Sequence, residues 1–112
     1  MNMNSYIENT CKDISPAYGL FFGALANENR LKILNVLRKK ALNVTEIAKV
    51  TRFEQTLVSH HLKMLEYHGM VFVQREGKFK FYSLNQKTIQ PLLDLIDTHM
   101  KQYCCKILRG ER

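Results

Sequence analysis

Residues 43–65, NVTEIAKVTRFEQTLVSHHLKML, hold two short helical patterns with a tight break between them. Asn43 followed three residues later by Glu46 has the spacing of a capping box, the mark of a helix start. Val44, Ile47 and Ala48, with Val50 beside them, then place apolar groups on one face. Thr51-Arg52-Phe53 interrupts the pattern, with Phe53 as the apolar plug of the turn. A second helix opens at Glu54 and carries Leu57, Val58, Leu62 and Leu65 at helical spacing. Gln55, Thr56, Ser59, His60 and Lys63 are left on its other face. A short helix, a turn and a second helix with an exposed polar stripe is a helix-turn-helix pattern. In such a unit the second helix enters the major groove of double-stranded DNA and its early residues read base edges.

The side chains of the stripe fit that task. Glutamine can bridge the N6 and N7 edge of adenine, and serine and threonine pair with donors or acceptors. His60 can donate to a purine N7 or to a phosphate. The plainer alternative is an amphipathic helix with a solvated polar face. The short partner helix, the basic balance of the chain and the segment that follows all favour DNA.

That segment is Tyr67-His68-Gly69 and then MVFVQREGKFKFYSL. Gly69 is a natural left-handed stop for the helix. Met70 to Gln74 and Lys78 to Leu84 are rich in β-branched and aromatic residues, and Arg75-Glu76-Gly77 between them reads as a turn. Phe79 and Phe81 alternate with Lys78 and Lys80, which predicts a hairpin with one apolar and one cationic face. A basic hairpin placed directly after a reading helix is a wing, and Arg75, Lys78 and Lys80 would lie over the phosphate backbone. The expected fold is mainly α with a small β-hairpin wing, a winged helix-turn-helix. The helix-turn-helix spans residues 43–68 and the wing 70–84 of a single domain covering 1–112.

Length and charge agree. A chain of 112 residues is one domain. Its 17 basic and 10 acidic residues give a formal +7, which favours an anionic partner. Asn27 to Phe53 alone holds seven basic and two acidic residues. No apolar run approaches the ~20 residues of a membrane helix, and the opening MNMNSYIENT lacks the regions of a signal peptide. Three cysteines, two of them adjacent, do not form a disulfide framework. A reducing cytoplasm is the expected location. Nothing reads as a nucleotide-binding glycine loop, a nucleophile elbow or a paired-carboxylate site, so an enzyme is not expected.

The flanks complete the plan. Asn4 to Ile14 is a short helix pattern carrying Tyr6, Ile7 and Cys11. Ser15 reads as the cap of a helix over Pro16 to Ala26, with Leu20, Phe21, Ala24 and Leu25 turned inward. Asn27 caps a third helix, Glu28 to Lys39, with Leu31, Ile33, Leu34 and Leu37 as its core stripe. Arg30 there reads first as structural, a solvated arginine or a salt bridge with Glu28 or Glu46 of the kind that braces a domain, and second as a phosphate contact. Asn85 to Arg109 forms the last helix, regular from about Thr88 because Pro91 is acceptable only in a first turn. Ile89, Leu92, Ile96, Met100, Tyr103 and Ile107 recur at three- and four-residue steps. That stripe outruns what a compact winged helix can bury, so residues 1–14 and 85–112 are expected to dimerise the protein. Ile89, Leu92, Ile96, Met100 and Tyr103 would form the seam. Two reading helices could then address half-sites ~34 Å apart.

The runs LANENRLKILNVL, VTEIA, LVSHHLKML, GMVFVQREGK and FYSL resemble the arsenic-repressor (ArsR/SmtB) family of bacterial and archaeal transcription regulators. The resemblance covers roughly Leu20 to Leu84. It implies a homodimer that represses its operator and lets go when an inducer binds. Family inducers are usually thiophilic or transition metal ions and, in some branches, reactive sulfur species.

Two ligand sets familiar in that family are missing. The Cys-x-Cys run of the helix before the reading helix has no counterpart in Asn43 to Val50. The Asp-x-His pair that opens the last helix is replaced by Gln86 and Thr88, although His99 falls where a later ligand would be. Asp97-Thr98-His99 repeats the spelling in the wrong place, and residues two apart diverge on a helix. Cys11, Cys104 and Cys105 remain as sensing candidates. Three thiolates would suit a soft ion such as arsenite, cadmium or mercury. The same thiols could instead be oxidised or persulfidated, or be ordinary packing residues. Sulfur sensors of the family carry a second cysteine near Asn35, absent here, which favours the metal or metalloid ion. Lys12, Lys101 and Lys106 would lower the thiol pKa on close approach.

The main competing class is a winged helix that docks proteins through its last helix. His60 and His61 invite a catalytic or zinc reading, but neighbours on a helix diverge by roughly 100°. They are expected at the DNA-facing side and the core edge respectively.

Overall fold

The computed structural model describes residues 13–111. In chain order these form α1 (Ser15–Leu25), α2 (Glu28–Leu37), α3 (Val44–Thr51), α4 (Gln55–Tyr67), β1 (Val71–Glu76), β2 (Phe79–Leu84), α5 (Ile89–Tyr103) and α6 (Cys105–Leu108). Asn4 to Cys11 and the helix expected there lie outside the described residues. No described helix is long and apolar enough to cross a membrane.

Local signals place the helix starts. Asn27 caps α2, its side chain accepting from the Arg30 N–H at 3.0 Å. Asn43 and Glu46 make the reciprocal capping box, Glu46 N–H to Asn43 Oδ1 at 2.8 Å and Asn43 N–H to Glu46 Oε1 at 3.0 Å. Ser15 is not the cap of α1. Ile14 holds that position, and the Ser15 N–H donates to Asp13 Oδ1 at 3.0 Å. α2 ends at Leu37, two residues earlier than expected, where Arg38 turns away toward α5.

The core gathers around α4. Val58, Leu62 and Leu65 are fully buried against Ile33, Leu34 and Leu37 of α2 and Ile47 of α3. Phe53 packs on this cluster half-buried, as the turn plug should. α1 adds only Ala24 and Leu25 to the buried set. Leu20, expected inside, is 68 % exposed with Tyr18 and Phe22 beside it, because α1 meets the core along the single line of Phe21, Ala24 and Leu25.

α4 closes in a Schellman motif. The Gly69 N–H bonds Glu66 O at 3.0 Å, the Met70 N–H bonds Leu65 O at 2.9 Å, and Gly69 sits at φ 70°. Met70 and Leu65, the apolar pair of that motif, are both fully buried. The hairpin then runs antiparallel with Val71 opposite Leu84 and Glu76 opposite Phe79. Arg75 and Glu76 therefore belong to β1, and the turn is Gly77-Lys78, not Arg75-Glu76-Gly77. Gly77 at φ 60° followed by a residue of negative φ is a two-residue hairpin turn of type II′. Leu42 bridges Tyr82 through both backbone bonds, fastening the wing to the α2–α3 connection.

The last helix is shorter than expected. Asn85 forms a turn in place of a first helical residue: its Oδ1 accepts from the Lys87 and Thr88 N–H groups and its Nδ2 donates to Gly69 O at 2.9 Å. α5 breaks at Cys104 and the four-residue α6 follows. Arg38 of α2 holds α5 by ion pairs to Asp94 at 2.5 Å and Asp97 at 2.9 Å.

Candidate nucleic-acid interface

α4 presents the expected polar stripe. Gln55, Thr56, Ser59, His60 and Lys63 are all exposed, while the opposite side of the same helix is in the core. The turn before it depends on Arg52, which sits left-handed at φ 64° and points the chain from α3 into α4. Arg52 is itself exposed at the head of the stripe. Its charge marked it as part of the basic region, but only the turn geometry puts it beside the reading helix.

Arg30 and His61 brace the stripe from behind. Arg30 Nε donates to Ala24 O at 2.6 Å, and its Nη2 to Gly23 O at 3.3 Å. These carbonyls end α1, so the guanidinium caps that helix where it meets α2. Arg30 Nη1 lies 3.4 Å from His61 Nδ1. Arg30 is thus a brace, through carbonyls and an imidazole and not through Glu28 or Glu46. A guanidinium only donates, so Nδ1 accepts and the imidazole proton belongs on Nε2. His61 is 7 % exposed, and Nε2 is buried with no hydrogen-bond partner among the described residues. Burial first, then the positive Arg30, then His60 hold its pKa below the ordinary 6.5. His61 is the core-edge member of the pair and His60 the outward one.

The wing differs from its expected two faces. Residues paired across the strands share a face, so Arg75 and Lys80 lie opposite each other on the side that also holds Val71, Val73, Tyr82 and Leu84. The core end of this face is apolar and its outer end cationic. Phe79 and Phe81 occupy the other face with Phe72, and Phe72 and Phe79 are over half exposed. Arg75, Lys78, Lys80 and Lys63 make no salt bridge among the described residues. Like charges directly opposite on a hairpin repel. An anion lying along the wing would relieve that repulsion.

The seam and sensing candidates are placed unequally. Ile89 is 3 % exposed and belongs to the core of its own chain, with Leu93 beside it. Leu92 and Ile96 are half-buried, Met100 and Tyr103 exposed, and Leu95, not singled out by spacing, is 68 % exposed. Cys104 forms the α5–α6 break and Cys105 opens α6, both half-buried, and the Cys105 thiol donates to Lys101 O at 2.8 Å. Cys11 lies outside the described residues. Asp97 is paired with Arg38. Among the described residues, no three His, Cys, Asp or Glu side chains form a group able to hold a metal ion.

Comparison with known proteins agrees with this geometry. Residues 27–72 match the family described as bacterial regulatory protein, arsR family. The transcriptional activator HlyU of Vibrio cholerae is 29 % identical over 104 residues, 93 % of this chain and 89 % of that protein. The cadmium resistance transcriptional regulatory protein CadC of Listeria innocua is 34 % identical over 82 residues, 72 % of this chain and 69 % of that one. Among solved structures, a homodimeric winged helix-turn-helix DNA-binding domain from Mycobacterium bovis superposes with a TM-score of 0.71 at 30 % identity. That match covers 75 % of this chain and 78 % of the other.

The Arg30–His61 contact has a pH signature. A histidine whose folded pKa lies below 6.5 takes up its proton first in the unfolded chain. Its neutral form is fully supported above pH 6.5, and stability falls as pH drops from there toward the lower folded value. The urea midpoint should therefore fall between pH 7.5 and pH 5.5. His61→Gln, which can still accept from Arg30, should flatten that fall. Equal pH slopes for parent and variant would remove His61 as the titrating group.

Proposed function

The chain belongs to the arsR family of bacterial regulatory proteins, and from that premise we propose that it is a homodimeric repressor released from its operator DNA by a thiophilic metal or metalloid ion. The observation that carries the DNA reading is the exposed stripe of α4 set beside a wing whose Arg75 and Lys80 face each other with no carboxylate partner among the described residues. Gln55, Thr56, Ser59 and His60 touch base edges in the major groove. Lys63 and the wing residues Arg75, Lys78 and Lys80 hold phosphates, setting register and affinity without reading sequence.

The homodimer is supported by the apolar side chains that α5 exposes and by its likeness to the homodimeric Mycobacterium bovis domain. Leu92, Ile96, Met100 and Tyr103 meet their copies across a two-fold axis, and Leu95 is well placed to join them. Release by an inducer acts through Cys104 and Cys105 with Cys11, thiols that a reducing cytoplasm keeps free. A soft ion held by these thiolates would supply a charged cross-link between helices. The described residues hold two of the three sulfurs, next to each other in sequence and at a break where the backbone can adjust. The vicinal arrangement also supports a second reading, reversible oxidation to a disulfide or polysulfide.

Three measurements test these assignments. Ser59→Ala and His60→Ala should each weaken specific operator binding by ~1–3 kcal/mol with the fold intact, whereas Lys80→Ala should weaken binding to all sequences alike and flatten the salt slope by ~1. Operator affinity equal to the parent in both α4 variants would take the reading role from α4. Ile96→Glu sets a carboxylate in the seam, so sedimentation should show a monomer with operator affinity lost; a folded dimer would refute the seam. The Cys11, Cys104 and Cys105 triple serine variant should bind operator normally and ignore arsenite or cadmium. If it responds as the parent does, sensing lies elsewhere.

A further inference from the structure

On the side of α3 away from the core lies an open groove of about 700 Å³, bordered by the C-terminal end of α2 and the loop after it. Its apolar lining is Val36, Leu42 and Val50. Val50 is 62 % exposed, a β-branched apolar side chain open to water on a helix whose other apolar groups pack inward. Three lysines, Lys39, Lys40 and Lys49, surround this lining, and none makes a salt bridge among the described residues. The nearest arginine, Arg38, is turned away onto Asp94 and Asp97. One carboxylate, Glu46, borders the groove, and its Oε1 is held by the Asn43 N–H in the capping box. Glu46 therefore serves the positive end of α3 and leaves the lysines unbalanced.

We propose that this groove is a binding site for an amphipathic organic monoanion, an apolar body bearing one carboxylate. The two halves of such a ligand answer the two halves of the groove. Its apolar body would cover Val50 and the open edge of Val36, above the buried Leu42, and removal of that surface from water is the driving term. Its carboxylate would lie among three ammonium groups, whose flexible stems can converge on a single charge. An inorganic anion would leave the apolar lining wet, and a neutral hydrocarbon would leave the lysines repelling one another. The volume lies in the range of small-molecule sites. The site shares no residue with the α4 stripe, the cationic residues of the wing or the thiols, and meets the wing only where Leu42 bridges Tyr82, so its test needs no DNA and stands apart from the regulatory reading.

Octanoate, with octanol and inorganic phosphate as matched probes, distinguishes the outcomes by methyl NMR titration of the whole protein. Octanoate should shift the Val36, Leu42 and Val50 signals saturably, while octanol and phosphate at equal concentration should not. Val50→Glu, at an exposed position, should weaken octanoate at least tenfold, and Lys49→Gln severalfold. Equal binding of octanol, or competition by phosphate, would overturn the proposal by making it an apolar or a plain anion site. An unchanged affinity in Val50→Glu would place octanoate elsewhere, such as the open face of α5. If Lys49→Gln lowers operator affinity and leaves octanoate binding as in the parent, the lysines serve DNA and the proposal falls.

Discussion

The structure depends on α4 keeping one face dry and the other wet. Val58, Leu62 and Leu65 are completely buried, and each contributes roughly 1.5–3 kcal/mol by leaving water. They fix the rotation of the helix about its axis. Once that rotation is set, Gln55, Thr56, Ser59, His60 and Lys63 have no direction left but outward. A one-residue slip would turn the stripe by about 100° and bring polar groups into the core. Thus the same packing that stabilises the domain orients its reading surface, and both ends of α4 are pinned to preserve it. Arg52 takes the left-handed turn before the helix, and Gly69 takes the left-handed stop after it. Asn85, reaching back to Gly69 O, then ties the far end of the wing to that stop.

How much of this was legible follows from where the information resides. The capping box, the Gly69 stop and the 3.6-residue pattern of α4 are local, and each appears where the sequence places it. Expectations failed where distant partners decide. Leu20 has the spacing of a core residue, yet α1 reaches the core through Phe21, Ala24 and Leu25 and leaves Leu20 in water, which periodicity within one helix does not reveal. Ile89 begins the apolar stripe of α5 but is covered by its own domain, so the proposed seam loses its first residue. The wing turn was displaced because Gly77 was read as the end of a turn, when its positive φ makes it the first of two turn residues. Phe79 and Phe81 still lie on the face opposite Lys80, but the shift draws Arg75 into β1 and sets it across from Lys80. Arg30 was legible as a brace but not in its partners, since helix-ending carbonyls have no signature in side-chain chemistry.

The brace also explains why a buried histidine is tolerated one residue from a solvent-facing one. His61 offers its lone pair to Arg30, and burial next to a guanidinium disfavours the charged imidazole. Arg30 can in turn hold Gly23 and Ala24 of α1, so three helices meet at one guanidinium. Lysine could not reproduce this, because a single ammonium lacks the planar fork that addresses carbonyls and imidazole together. The unpartnered Nε2 is the cost, of the order of 1–3 kcal/mol if no water reaches it.

The same magnitudes limit how a signal at the C-terminal thiols could reach α4 in the proposed regulator. Within one chain the polar path runs from α5 through Asp94 and Asp97 to Arg38, along α2 to Arg30, and on to His61. Its first link is between carboxylates that are half exposed, and pairs of that kind contribute ~0–1 kcal/mol. A useful coupling needs ~1–3 kcal/mol, so this path is too weak to carry release alone. A dimer avoids the difficulty. A small rotation at the α5 seam moves two rigid reading heads relative to half-sites whose spacing the DNA holds fixed, and every contact of one head is then in conflict with those of the other. The rigidity of α4 in its core, which forbids a signal from bending the reading helix, is what would make that rotation effective.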